Sequence, residues 1–247
     1  MFFGAQLPAA LYRVRWLTLA IAAATAIVSV IYGVWLSNDP QAFATLGPRD
    51  QLRQLAEQDF VSYYSEFSEA GFTGQVWTNN AWLAAQCVMF GITGVWVPYV
   101  LLQNAEGLGT TAAVMNEFGR LDHFFLYIAP HGQLELYSIF LAAAAGLLIF
   151  WSWISPGGRT RAQALAEDGR AFFTLVVGLV LTLLISGIIE GYVTHQDWPW
   201  VIKIGIGTLA LAGVLVYQWV LGRRAWRAGH TGDLDEFEAG AKQLISS

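Results

Sequence analysis

An all-α bundle embedded in a membrane is the fold class this sequence predicts, and three observations predict it. Hydrophobic residues make up 55% of the chain and charged residues only 13%, where a soluble domain carries about a quarter charged. The apolar residues gather into runs of about twenty, the length that crosses a hydrocarbon core. The polar residues gather too, with arginines in three clusters and acids in the intervals between them. At 247 residues the chain suffices for one compact bundle, not for a bundle plus a large soluble domain. A net charge of −5 without a long basic cluster argues against nucleic acid as a partner. Cys87 is the one cysteine, which excludes an intrachain disulfide and a CxxC metal site and leaves it a small packing residue.

The elements follow in order. Arg13 and Arg15 precede an apolar run over 16–36. It is longer than a signal-peptide core and no small-x-small site closes it, so an uncleaved first span is expected. Residues 37–78 form an acidic interval, with Asp39, Asp50, Glu57, Asp59, Glu66 and Glu69 against Arg49 and Arg53. Within it Pro48 opens a helix whose Leu52, Leu55, Phe60, Tyr63 and Phe67 read as the apolar face of an amphipathic outer helix. A second span is expected over 80–103, introduced by Trp77, Asn79 and Asn80, with Gly91 and Gly94 permitting close approach and Pro98 kinking it late. Residues 104–130 carry Asn104, Glu106, Asn116, Glu117, Arg120, Asp122 and His123. Such a segment reaches membrane depth only when buried in protein or beside water. Pro130 and Gly132 predict a break, after which a third span runs over 133–154, a fourth over 171–192 and a fifth over 201–221.

Arginines decide how often the chain crosses. The N-terminus, the loop after Ile154 with Arg159, Arg161 and Arg170, and the stretch Arg223, Arg224 and Arg227 all belong in the cytoplasm by the positive-inside rule. Five spans cannot place them there together. Six can, if 106–129 crosses as a polar, protein-buried segment. The expected organisation is a short cytoplasmic N-terminus (1–15), one transmembrane domain (16–221) that includes the extracytoplasmic segment 37–78, and a cytoplasmic tail (222–247) with Asp233, Asp235, Glu236 and Glu238.

The chemistry centres on the fourth-residue spacing of His131 and Glu135, which puts an imidazole and an acid on one helical face above Ser138, Ala142, Ala145 and Gly146. Gly178, Thr182, Ser186 and Glu190 form a second stripe, which must face the bundle interior because lipid offers no hydrogen bonds. His131, Glu135 and Glu190 are therefore expected to share a buried polar site, with Asn104, Arg120, His123, His195 and Lys203 as possible neighbours. His131 and Glu135 also have the spacing of two metal ligands on one helix. The plainer reading is that they satisfy backbone groups at a broken helix and pair with each other or with Arg120. No HExxH and no GxSxG element is present. Small residues at Ser138, Ala142 and Gly146, and at Gly187 and Gly191, further predict a homodimer.

Asn104 with Gly107-Leu108-Gly109, Pro130-His131-Gly132 followed by Glu135, and Ala143-Ala144-Ala145-Gly146-Leu147 together resemble the stage II sporulation protein M family of bacterial membrane proteins. Pro156-Gly157 with Arg161 and Ala164, and Glu190-Gly191, extend the resemblance over most of 16–221. It implies a polytopic scaffold rather than an enzyme, with no cofactor expected. The namesake anchors and recruits peptidoglycan-degrading enzymes that remodel the septum during engulfment, and many relatives occur in bacteria that never sporulate. Longer relatives carry an N-terminal cytoplasmic helical region, whereas this chain enters the membrane almost at once. The sequence thus predicts a cytoplasmic-membrane scaffold in contact with membrane lipids, a second copy and peptidoglycan-remodelling partners. A transporter or channel built on His131, Glu135 and Glu190 is the alternative, and a metal-dependent intramembrane hydrolase the third reading.

Overall fold

The computed structural model describes residues 2–60, 69–194 and 196–233, and for 69–79 the helical backbone alone. The expected positions of Tyr63, Phe67, His195, Asp235, Glu236 and Glu238, and the side chains of Trp77 and Asn79, lie outside the described residues. The described residues form helices and short connections, with no strand among them. Helix α1 (Phe2–Asn38) is followed by α2 (Pro40–Ala44), which Asp39 caps by accepting from the backbone N–H groups of Gln41 and Ala42. Pro48 opens α3 (Arg49–Gln54), which runs on as a wider turn (Leu55–Asp59). Then come α4 (Glu69–Phe90), α5 (Trp96–Glu117), α6 (Leu121–Ile154), α7 (Arg161–Thr194) and α8 (Trp200–Arg227). A capping box of Thr160 and Gln163 starts α7. Of these, α1, α6, α7 and α8 are long and apolar enough to cross a membrane.

Contacts fix the direction of each helix. Gly33 meets Gly109, and Leu36 clusters with Ala113, so α1 and α5 run parallel. Asn80 meets Glu135 and Gly91 meets Gly146, so α4 runs parallel to α6. Ser138 meets Thr182 and Ser152 meets Asp168, so α7 runs against α6. Gly207 meets Pro130 and Gln218 meets Tyr137, so α8 runs with α6. Gln218 meets Leu11 and Gly222 meets Pro8, so α1 runs against α8 and the six long helices alternate in direction. Helix α6 is the central post: its stretch from Leu134 to Gly146 is buried apart from Leu136. The arginine clusters come together at one end, where Asp168 binds both Arg13 and Arg159 and Arg170 binds Asp233. At the far end Leu52 and Ala56 pack with Phe43, Val114, Met115 and Phe124, which seats α2 and α3 on the bundle.

Several expectations are corrected. The span expected over 80–103 is cut at Gly91–Thr93 by a tight turn, and Gly94 takes the left-handed φ of 72°. The reversal happens there because two glycines allow backbone contact: a Cβ on Gly91 would stand 2.3 Å from Gly146 Cα. Pro98 accordingly lies in the first turn of α5, where its missing N–H has no partner to lose. Residues 106–129 are then the end of α5, the turn at Gly119 (φ 69°) and the start of α6, not one crossing segment. Pro130 does not end a helix either, since α6 runs through it. Side chains bond the carbonyls on either side of it. Gln133 Nε2 donates to Ala129 O at 2.9 Å and the Ser186 hydroxyl donates to His131 O at 3.0 Å. Helix α1 begins at Phe2 rather than near Trp16, burying Leu7, Leu11 and Val14, and the last helix extends to Arg227. Leu55, expected on the apolar face of its helix, is exposed. Within the chain Gly146 packs against Cys87 and Gly91 and Ser138 against Thr182, and Gly187 and Gly191 are buried.

Candidate functional site

The stripes on α6 and α7 face one another near the far end of the bundle. Their antiparallel course pairs successive turns: Ser138 with Thr182 at 2.8 Å, His131 O with Ser186, and His131 Nε2 with a Glu190 carboxyl oxygen at 3.5 Å. The histidine is 3% and the glutamate 1% exposed. The other imidazole nitrogen, Nδ1, lies 3.3 Å from Thr194 Oγ1. Thr194 in turn offers its carbonyl to Lys203, whose ammonium also donates to Gln196 O at 2.8 Å and stacks 3.7 Å from the Trp200 ring centre. A continuous polar line thus runs from α8 through the end of α7 to the middle of α6. Lys203 does not snorkel outward: it is buried and ties down the last carbonyl of α7 and that of Gln196 just beyond.

Glu135, one turn along α6 from His131, takes its hydrogen bond from a third direction. Asn80 Nδ2 on α4 donates to it at 2.7 Å. The site is therefore held by four helices, and each polar group added to it binds one more helix to α6. Burying such groups costs several kcal/mol apiece unless they are paired, so the pairing decides whether α4, α7 and α8 stay docked.

The other expected site residues lie elsewhere. Asn104 sits on α5, its Oδ1 buried without a hydrogen-bond partner among the described residues. Arg120 caps the start of α6, its backbone N–H on Met115 O at 2.7 Å, and does not reach Glu135. His123 stands at the far end, 3.9 Å from Asp122. Among the described residues no three His, Cys, Asp or Glu side chains are placed to hold a metal ion. Thr194 and Asp168 are buried polar positions that the sequence reading did not single out. Thr194 continues the four-residue stripe of Gly178, Thr182, Ser186 and Glu190 by one more step, so its signal was in the spacing. Asp168 is 2% exposed and gathers Ser152, Arg13 and Arg159 at the arginine end. There the hydrogen bonds of Asp168 and Glu167 hold the Arg159 guanidinium above its already high ordinary pKa.

The opposite side of α6 is apolar. Gly132, Gln133 and Leu136 line a groove of about 870 Å³, open along one side, together with α1 from Ala22 to Asn38 and α5 from Leu108 to Asn116. Polar site and groove thus occupy two faces of the same helix.

Compared with known proteins, residues 22–195 match the family model described as Stage II sporulation protein M. The match takes in the groove and the whole of the line from Asn80 to Thr194. No curated protein and no solved structure matches the chain.

Proposed function

The chain belongs to the stage II sporulation protein M family, and from that premise we propose that it is a multi-pass scaffold of the bacterial cytoplasmic membrane that anchors a peptidoglycan-remodelling partner. The groove is the observation that carries this reading. Its wall on α1 covers the stretch from Ala22 to Asn38, about 24 Å at the helical rise and most of a ~30 Å hydrocarbon core. Ala22 and Ala26 keep that wall low, as Ala112 does on α5 and Ala129 and Gly132 do on α6, which suits the close approach of an apolar partner helix. The polar site on the other face of α6 holds the α6 side of the groove against α4, α7 and α8. By the positive-inside rule the arginine end lies in the cytoplasm, and both ends of the described chain belong there, since Gly222 packs on Pro8.

A photo-crosslinking residue in place of Ala26, in the full chain in its own membranes, tests this. The expected adduct is a membrane-bound peptidoglycan-remodelling enzyme. It should vanish with Ala112→Trp, which fills the groove, and persist with Ile185→Trp on an exposed face of α7. Adducts with lipid alone, or with a second copy of the chain, would overturn the reading.

The contact between His131 and Glu190 favours a second reading, a transporter or channel with this pair in its path. Stabilisation by a transported solute, lost with His131→Ala while the Ala26 adduct persists, would establish it.

A further inference from the structure

We propose that the surface where the stretch of α1 around Tyr12 and Arg15 meets the last turns of α8 binds the headgroup of an anionic phospholipid, with its phosphate held by Arg15 and Arg223. Charge at the arginine end is the starting point. Asp168 is taken by Arg13 and Arg159, Glu167 by Arg159, and Asp233 by Arg170. Arg15 and Arg223 have no acidic partner among the described residues. Nor does Arg15 stand free in solvent. Its guanidinium lies 3.6 Å from the Tyr12 ring centre, 5.7 Å from Trp16 and 5.8 Å from Trp219. One end donates to Tyr12 O, and its buried Nε–H has no acceptor among the described residues. A guanidinium held on aromatic faces keeps its orientation and sheds part of its water, so it pairs more strongly with a phosphate.

Helix α8 supplies the opposite wall. Gly222 lets it close in, since a Cβ there would stand 2.4 Å from Pro8 O and 2.7 Å from Tyr12 Cβ. Trp219 and Trp226 consequently flank Tyr12 at 6.2 and 6.3 Å, and Trp219 meets Trp16 edge-on at 5.2 Å. Arg223 falls one turn after Trp219 and one turn before Trp226, on the same stripe and exposed. Tryptophan beside arginine belongs at headgroup level. Towards the middle of the bundle from Arg223, Val216 and Val220 are exposed at four-residue spacing. That apolar stripe gives acyl chains a surface beneath the phosphate, and it is what singles out a lipid over a free anion.

The site is independent of the groove, and its test does not need the protein partner. The full chain in detergent is given phosphatidylglycerol, phosphatidylcholine or inorganic phosphate, with native mass spectrometry and thermal unfolding as readouts. Phosphatidylglycerol should be retained and raise Tm where the other two do not. Arg223→Gln, and Arg15→Gln with Arg223→Gln, should each weaken that retention, the pair by tenfold or more. Arg224→Gln, one position off the stripe, should change it less than twofold. The exposed single variant reads the site even if the double variant unfolds. Equal retention of both lipids, equal stabilisation by inorganic phosphate, or an equal loss with Arg224→Gln would overturn the proposal.

Discussion

Replacing Gly207 by alanine should undock α8, and the structure sets the size of the effect. The added Cβ would lie 1.9 Å from Pro130 O and 2.7 Å from its carbonyl carbon. Ordinary contact begins near 3.4 Å, so α8 must withdraw by about 1.5 Å at this point. The pair of Gln133 and Thr208, now at 3.1 Å, would then pass out of hydrogen-bond range, and the Lys203 bonds to Thr194 and Gln196 would lengthen with it. Overpacking costs about 1–3 kcal/mol and a lost hydrogen bond about 1 kcal/mol. Alanine returns up to about 1 kcal/mol in helix propensity. The net loss should be about 2 kcal/mol, or about 4–8 °C in Tm for a chain of this length. Gly205 lies two residues away with nothing within 4 Å of its Cβ position, so Gly205→Ala should be neutral or slightly stabilising. Thermal unfolding in detergent compares the two. If Gly207→Ala melts within about 1 °C of the parent, or Gly205→Ala loses as much, the close packing of α8 on Pro130 is not what holds it.

Glu135→Gln keeps the shape and a hydrogen bond to Asn80, so it should unfold within about 1 kcal/mol of the parent, whereas Glu135→Leu strands Asn80 and should cost about 1–3 kcal/mol; thermal unfolding of both variants checks the order. Asp168→Ala leaves Arg13 and Arg159 without their shared acid. Both arginines are partly exposed, so water recovers part of the loss and about 1–2 kcal/mol is expected by the same measurement. With Cys87→Ala as background, Thr160→Cys should react with a membrane-impermeant maleimide only after the cytoplasmic side is opened. Ready labelling from outside intact cells would reverse the orientation.

What the sequence disclosed about the site followed from solvent. Lipid cannot bond Thr182, Ser186 and Glu190, so their spacing alone put them on an interior face, and they are buried there. Which groups they meet was not legible. Asn80 reaches Glu135 across 55 positions and Gln218 reaches Leu11 O across 207, and such pairs depend on helix directions that no local pattern encodes. The boundary between α4 and α5 was hidden for a different reason. Gly91 and Gly94 sit in continuous apolar sequence, where a glycine that lets helices touch reads the same as one that turns the chain. Pro130 gives a break signal that holds only for an isolated helix; Ser186 of α7 and the packing of Gly207 on α8 answer it from outside.

The parallel pairing of α1 with α5 bears on how the protein is made. Helix α5 carries Asn104, Glu106 and Glu117 and is not among the helices apolar enough to enter a bilayer by themselves. Its natural mate is already in place when it emerges: Gly109 lies against Ser29 O and Gly33, on a helix completed some seventy residues earlier. Helix α1 is made before α5 and offers it a surface of small residues on which a segment with little affinity for lipid can settle before α6 follows. Filling that contact with Gly33→Leu is expected to lower the yield of folded chain more than its melting temperature, because α5 would lose its mate while the chain is still being made.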